Sequence, residues 1–472
     1  MPPWFERQLR RLLRARLARS DAQTLLRMGE RRVLKALRRA ARVSPAYRTL
    51  LAEAGVKAES VRSLNDFSTR CPVLDKSNTF RRFKLRELLA EDIQPQQLAS
   101  ILTSSGHGAG GYAIGLSTFA QQQHAPAVID FGLDLAFEVD HHKTLLINCL
   151  PMGVTFRSDA VCVANVSVRE DMACALVQQA GDLFEQIVLC GDPLFLKRLC
   201  DYSQSIELDW RRYRVHVVIG EETFAESFRD YLAGVLGNNP DDGAGGVICS
   251  SMGVGELGLN LFNETRETVA LRRACQRNPD LQKALLGGDT AQAPTFLVFN
   301  PLRTYVEFAQ PDTHGAGDLL ITMLDMTSTV PLLRYRTGDR MQLLSPQVLR
   351  LAEQQTQGSF VAPPLPVVAL FGRSRDALAG GLHVDDFKQA LYLNPILARN
   401  CSGAFRLLPE EGGLRWVVQL ARDAPLTPTA LADQLSEHLP PGASVQICCH
   451  AYADFPYAMT LDYERKFAYW PA

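Results

Sequence analysis

The sequence predicts an α/β protein, with a large N-terminal domain of layered α/β subdomains and a small α+β domain at its C-terminal end. Three observations predict it. The chain has 472 residues, too many for one compact core, so two or three domains are expected. Between residues 118 and 300, short apolar runs alternate with helical stretches, the pattern of parallel strands joined by crossover helices. After Gly372 the chain reads as a mixed unit of about a hundred residues. The division is placed at 370/371, giving domains 1–370 and 371–472.

Residues 1–56 read as helices broken at Ser44-Pro45, where proline cannot continue a helix. The first of them is basic (Arg7, Arg10, Arg11, Arg14, Arg16, Arg19), and Trp4, Phe5, Leu9, Leu12, Leu13 and Leu17 recur at helical spacing. That pattern predicts an amphipathic helix packed on the core with its arginines in solvent. Docking of an acidic partner and contact with a membrane surface are the alternatives. Positive charge continues through Arg31, Arg32, Arg38, Arg39 and Arg42. Residues 57–100 are mixed, with turn signals near Ser60–Ser63. The runs Leu145–Leu150, Gln186–Cys190 and Val215–Ile219 suit buried strands. Asn238–Gly246 is a loop, residues 297–345 are β-rich, and residues 353–366 form a further loop. There is no internal repeat.

Composition narrows the function classes. Hydrophobic residues make up 46% and charged residues 21%, and the formal net charge is −1. Bulk nucleic-acid binding, which calls for a basic domain, is not expected. None of the 11 cysteines forms a CxxC pair, so Cys448-Cys449-His450 is not read as zinc ligands. Scattered thiols without an apolar leader fit a reducing cytoplasm. No apolar run approaches the ~20 residues of a membrane-spanning helix. The adjacent His141 and His142 point to opposite faces if extended and do not suit one shared metal.

Five constellations could carry chemistry. Thr103-Ser104-Ser105-Gly106-His107-Gly108-Ala109-Gly110-Gly111 is a Gly/Ser loop whose backbone N–H groups could cradle phosphates, although no GK[ST] follows as in a P-loop. Gly220-Glu221-Glu222 directly follows an apolar run, where α/β sheets place ligands. Ser251-Met252-Gly253-Val254-Gly255-Glu256 ends in a carboxylate that could hold Mg2+ against phosphate oxygens. Its bland alternative is a surface glutamate at a helix start. Tyr335-Arg336-Thr337-Gly338-Asp339 reads as a tight turn whose Asp339 could accept two ribose hydroxyls, or as a hairpin turn with a salt bridge. Phe371-Gly372-Arg373-Ser374-Arg375-Asp376 reads as a hinge or a polar linker.

In their order and spacing these segments resemble the superfamily of acyl- and aryl-CoA synthetases, luciferase-like enzymes and nonribosomal adenylation domains, and within it the phenylacetate–CoA ligase family. The resemblance covers most of the chain. It includes Ser44-Pro45-Ala46-Tyr47-Arg48, Leu64-Asn65-Asp66-Phe67 and Pro72-Val73-Leu74-Asp75-Lys76, which look like that family's N-terminal signature. It implies an ATP- and Mg2+-dependent enzyme that makes an acyl-AMP and passes the acyl group to a thiol. Coenzyme A is the default acceptor. An acyl carrier protein, docked through the basic N-terminal helix, is the second. An amine acceptor, or a relative that binds without turnover, are the other readings. Residue by residue, it implies that Ser104, Ser105, Gly106, His107 and Gly108 form the phosphate loop and that Gly220, Glu221 and Glu222 lie beside adenine. Ser251, Met252 and Gly253 would line the nucleotide pocket, Glu256 would hold Mg2+, Asp339 would bind ribose and Arg373 would sit near the nucleotide. Lys466, in Tyr463-Glu464-Arg465-Lys466-Phe467, is the implied catalytic lysine of a mobile C-terminal domain, with Arg465 as its competitor. The sequence departs from the family at His107 and Gly108, which stand where threonines are usual, at Met252, which replaces an aromatic residue, and at Gly255, which replaces a hydroxyl residue.

Overall fold

A computed structural model describes residues 3–103, 112–151, 154–241, 245–288, 290, 292–378, 381–439, 444–457 and 467–471. The chain forms two compact units, each assembled from two separated stretches: residues 1–135 with 251–374, and residues 136–250 with 375–472.

The second unit is built on parallel strands. Thr144–Asn148 pairs with Cys162–Asn165 on one side and Gln186–Gly191 on the other; Val215–Ile219 and the start of Ile248–Val254 follow, all parallel. The three runs expected as buried strands are these strands. They are continuous apolar runs rather than alternating ones because both of their faces are buried: every residue of Thr144–Asn148 and Gln186–Gly191 is buried. A buried polar chain crosses the strands. Gln186 Nε2 donates to Phe137 O and to Thr144 Oγ1, both at 2.9 Å. The Val247 N–H donates to His216 Nδ1 at 3.0 Å, and Nε2 of that ring lies 3.1 Å from Gln186 Oε1. With Nδ1 accepting, the ring is a neutral imidazole that donates from Nε2. The C-terminal stretch adds a separate sheet, in which Cys401–Glu410 runs antiparallel to Gly413–Leu420 and Val445–His450 runs parallel to it. Trp416, Phe405 and Phe387 fill its core.

The first unit carries an antiparallel sheet in the order Thr304–Ala309, Gly317–Met323, Tyr335–Leu343, Val367–Arg373, Thr295–Phe299, Gly258–Asn263, with the end of Ile248–Val254 at its edge. Four of these strands are the β-rich stretch expected over 297–345. The helices Ala22–Val43 and Pro45–Glu53 meet at Ser44, whose backbone N–H caps the first and whose Oγ accepts from Tyr47 N at the start of the second. Proline at the next position fits this junction, since a helix's first residue has no N–H to lose. Ala22–Val43 buries Leu25, Val33, Ala36, Leu37, Ala40 and Val43, as its apolar stripe requires.

The N-terminal helix, Pro3–Ala18, reverses the expectation. Its buried residue is Arg10, while Trp4, Phe5, Leu9, Leu12 and Leu13 are exposed. The cause lies far along the chain. Two buried carboxylates of the Phe119–Phe137 helix, Asp130 and Asp134, face the helix and attract its arginines, with Nη1–Oδ2 distances of 3.8 Å from Arg10 and 3.2 Å from Arg14. A buried charge needs an opposite partner more than an apolar side chain needs cover.

The second unit contains a wholly buried ion pair, Arg229 with Glu226, at 3.0 Å; the guanidinium also donates to the Ile248 carbonyl. Glu226→Ala removes the carboxylate and leaves the buried cation, which costs about 3–5 kcal/mol. Urea unfolding of the full chain measures it. Adding Arg229→Met to Glu226→Ala is expected to recover most of the loss, since the buried charge is then gone.

Candidate functional site

In the first unit the site is built around Glu256. The residue lies not at a helix start but in the tight turn between the antiparallel strands Ile248–Val254 and Gly258–Asn263, closed by Leu257 N donating to Val254 O at 2.8 Å. Glu256 is buried, 8% exposed, and Oε1 accepts from the Tyr335 hydroxyl at 2.5 Å. Lys76 Nζ stands 3.9 Å from the same oxygen. Burial first, and the neighbouring carboxylate second, push the Tyr335 phenol far above its ordinary value. It therefore remains a neutral donor. Tyr335 is fixed by the Pro72–Lys76 segment: Leu74 N donates to Arg334 O at 3.1 Å and Arg336 N to Leu74 O at 2.8 Å. Behind the turn, a Cβ on Gly115 would collide with the Gly255 carbonyl, so the Ile114–Thr118 strand can approach the Glu256 turn this closely there only as glycine.

The Tyr335–Asp339 motif is not a turn but part of the strand Tyr335–Leu343. Asp318 pairs with Arg340 and Leu320 with Arg336, so four steps on one strand oppose two on the other. The excess is taken up by a bulge at Gly338, whose φ of +86° suits glycine. The bulge re-aims Asp339, which faces Arg373 across the next strand pair with Nε 3.6 Å from Oδ1. Ser251 Oγ donates to Asn260 Oδ1 at 3.1 Å, and Met252 pairs with Phe262.

A magnesium ion suits this donor set. The contacts of Tyr335 and Lys76 with Glu256 both fall on Oε1. Mg2+ is commonly held by one or two carboxylates together with substrate phosphates and water. Glu256 Oε2 is the oxygen that would hold it.

In the second unit, Gly220-Glu221-Glu222 sits at the C-terminal end of a central parallel strand, as expected. Gly220 N donates to Gly191 O at 3.0 Å, which joins the ends of two adjacent strands. Glu221 adopts a left-handed φ of +71°, an uncommon conformation for a non-glycine residue. Glu222 is engaged: Lys388 Nζ donates to Oε2 at 2.8 Å and Tyr469 Oη to Oε1 at 3.4 Å. The helix Val384–Ala390 adds further bonds to this loop. Thr223 Oγ1 donates to Asp385 at 3.2 Å and Ser227 Oγ to Gln389 O at 2.8 Å.

Beside the loop lies Asp192, the N-cap of Pro193–Ser205. Its Oδ1 accepts from Phe195 N at 3.0 Å, while its buried Oδ2 has no hydrogen-bond partner among the described residues. Burial, above all, raises its carboxyl to about 7, with the charges of Glu222 and Glu221 adding to the effect against the Phe195 bond.

The sequence motifs thus locate Glu256, Asp339, Arg373, Ser251, Met252 and Gly253 in one unit and Gly220, Glu221 and Glu222 in the other. Ser104, Ser105, Gly106, His107 and Gly108 lie outside the described residues, as does Lys466; the residues flanking that loop, Thr103 and Ile114, pair with each other. The motifs missed the roles of Tyr335 and Lys76, although both stand inside quoted segments. They missed Asp192 and Lys388 altogether. An isolated Asp-Pro before a helical run marked the first as a cap; nothing in the sequence pointed to the second.

No protein-family model matches the chain, and no curated protein sequence matches it. Solved structures do. 2-Hydroxyisobutyryl-CoA ligase in its postadenylation state with R3-HIB-AMP aligns with a TM-score of 0.66 at 14% identity, covering 95% of this chain and 89% of that one. The open conformation of that ligase, in complex with 2-HIB-AMP and CoA, aligns with a TM-score of 0.56 at 14% identity, covering 96% and 91%. This chain therefore has the mixed α/β fold of that ligase.

Asp192 yields a pH test. Its folded-state value lies above the unfolded one of about 3.9, so the fold opposes its ionisation. That penalty is absent below the unfolded value, grows as pH rises, and is complete above about 7. Asp192→Asn keeps the cap acceptor and removes the titration. Its stability relative to the natural chain is expected to rise between about pH 4 and pH 7 and then level off, by at most about 4 kcal/mol. Urea unfolding across that range measures it; a difference independent of pH contradicts the assignment.

Proposed function

We propose that this chain activates a carboxylic acid with ATP as an acyl-AMP and transfers the acyl group to a thiol. The observation that carries the reading is the Tyr335–Glu256 bond: it brings two of the motifs onto one buried carboxylate, and the strand that supplies Tyr335 also supplies Asp339. The fold supports it, since the ligase that shares it has been solved with an acyl-AMP and with CoA. The substrate carboxylate attacks the α-phosphorus, the α–β phosphoanhydride bond breaks and pyrophosphate leaves. A thiolate then attacks the acyl carbonyl and AMP departs. Asp339 holds the ribose, and Arg373 and Lys76 face the nucleotide's negative charge. Mg2+ bound at Glu256 would offset charge on the phosphates. Lys466 is assigned to the α-phosphate by resemblance. This is positioning and electrostatics rather than covalent catalysis.

Within this class the reading places the chain nearest the phenylacetate–CoA ligases, supported by the N-terminal signature that supplies Lys76. Coenzyme A is the first acceptor. A carrier-protein thiol is the second, favoured by exposed Arg27, Arg31 and Arg38 on the Ala22–Val43 helix. Residues 371–472 are assigned as the mobile domain; Gly372, with φ of +97°, and the crossing between units at Ser374/Arg375 support a hinge there. Eleven free thiols suit a cytoplasmic setting. Among the described residues no helix is long and apolar enough to cross a membrane.

ATP–pyrophosphate exchange, with a panel of aryl, aliphatic and amino acids and no acceptor, tests the reading. Exchange dependent on one acid class is expected. Glu256→Gln is expected to slow it roughly a hundredfold, with an unchanged melting temperature. Lys466→Ala is expected to lower kcat far more than it raises KM for ATP. Silence across the panel with no ATP binding favours a binding relative without turnover. Acyl-AMP formed and then consumed only by amines assigns the chain to amide formation.

A further inference from the structure

The N-terminal helix is seated with its charged side inward. At about 100° per residue, Trp4, Phe5, Leu9, Leu12 and Leu13 share one half of Pro3–Ala18, and Arg10, Arg14 and Leu17 share the other. The ion pairs to Asp130 and Asp134 hold the second half against the Phe119–Phe137 helix; both carboxylates are at most 2% exposed. The first half faces out. Trp4 is 67% exposed, Phe5 43%, Leu9 42%, Leu12 68% and Leu13 46%. Arg7 and Arg11, also exposed, border it on one side, and exposed Arg16 and Arg19 follow it at the C-terminal end, against the single acid Glu6 in the helix.

Two ion pairs onto buried carboxylates fix this orientation, so the outward apolar stripe is built into the fold. Five large apolar side chains on one helix are more than the scattered exposure normal for a soluble surface. The stripe lies on a convex helix edged by arginines. A second copy of this chain would set like charges against each other. A folded acidic partner would satisfy the arginines and would need an apolar cleft as well. A bilayer interface offers both together: an acyl boundary for tryptophan, phenylalanine and leucine, and anionic headgroups for arginine. Sixteen residues with five arginines are too short and too charged to span it.

We propose that this face of the N-terminal helix seats the protein on an anionic membrane surface, with the helix lying in the interface plane. The inference does not depend on the acyl-activation reading.

Cosedimentation of the full chain tests it, with phosphatidylcholine vesicles with and without phosphatidylglycerol. Binding to the anionic vesicles is expected, weakened at least about tenfold on neutral ones and by high salt. Trp4 emission is expected to shift to the blue on binding; Trp210 and Trp416 are already buried. Trp4→Glu and Leu12→Glu replace exposed side chains. Each is expected to keep the melting temperature and to lose at least about tenfold in vesicle affinity. No binding to anionic vesicles at low salt overturns the proposal, as does binding that neither variant weakens. Self-association abolished by Leu12→Glu assigns the face to a second copy instead. Binding to a purified acidic carrier protein without binding to vesicles assigns it to that protein. Loss of vesicle binding to glycerol phosphate at concentrations matching the lipid assigns it to the headgroup alone.

Discussion

The hydrogen bond from Tyr335 to Glu256 is the constraint on which the first unit's site depends. A carboxylate inside a protein needs a donor or a cation, or it takes up a proton. Tyr335 meets that need for one oxygen, and its own burial keeps it from ionising. The bond commits three distant segments to one place. Pro72–Lys76 holds Tyr335 through paired backbone bonds, the turn after Ile248–Val254 presents Glu256, and Gly115 brings the Ile114–Thr118 strand against that turn. None of the three would find this arrangement through apolar burial alone, which is non-directional.

The second unit answers a different requirement. Parallel strands end with unpaired groups at their carboxyl edge, and the loop Gly220–Glu222 occupies that edge with Asp192 beside it. Three acids so close together repel one another. Lys388 offsets the repulsion at Glu222, while Asp192 is driven toward its neutral form by its burial above all, with the charges of Glu222 and Glu221 adding to it. The bonds of Lys388 and Asp385 with Glu222 and Thr223, and of Gln389 with Ser227 on the following helix, tie the Val384–Ala390 helix to this region. In the mobile-domain reading, rotation of the C-terminal segment has to break them. The half-buried Lys388–Glu222 pair then sets part of the barrier, because each charge must find water again before the motion can proceed.

Much of this was legible in the sequence, and the boundary of legibility is physical. Continuous apolar runs marked the three central parallel strands, since burial on both faces removes alternation. Ser44-Pro45 marked a helix junction because its chemistry is local. The motif glycines and acids located Glu256 and Asp339 but not their surroundings. The bulge at Gly338 depends on register with Gly317–Met323, and the turn at Glu256 on pairing with the following strand. The N-terminal helix shows the limit most clearly. Periodicity identifies two faces; which one is buried was decided by Asp130 and Asp134, more than a hundred residues away, and no window around Arg10 contains that information. Lys388 belongs to the same class, since it acts only where the fold brings it to Glu222.

The site's electrostatics carry the synthesis one step further. In the first unit the two acids are buried and the cations facing them are half-exposed. Glu256 and Asp339 are at most 9% exposed, whereas the side chains of Lys76 and Arg373 are 40% and 34% exposed. At 3.9 Å and 3.6 Å the cations stand beyond hydrogen-bond reach of those carboxylates. Each pair joins a buried acid to a half-exposed cation, and solvent at the cation screens the attraction. The acids cannot turn away, because burial and the Tyr335 bond fix Glu256, and the bulge fixes Asp339. Such an asymmetry supports the proposed nucleotide site: the buried acids would meet a metal ion and a ribose, and the half-exposed cations would meet the phosphates.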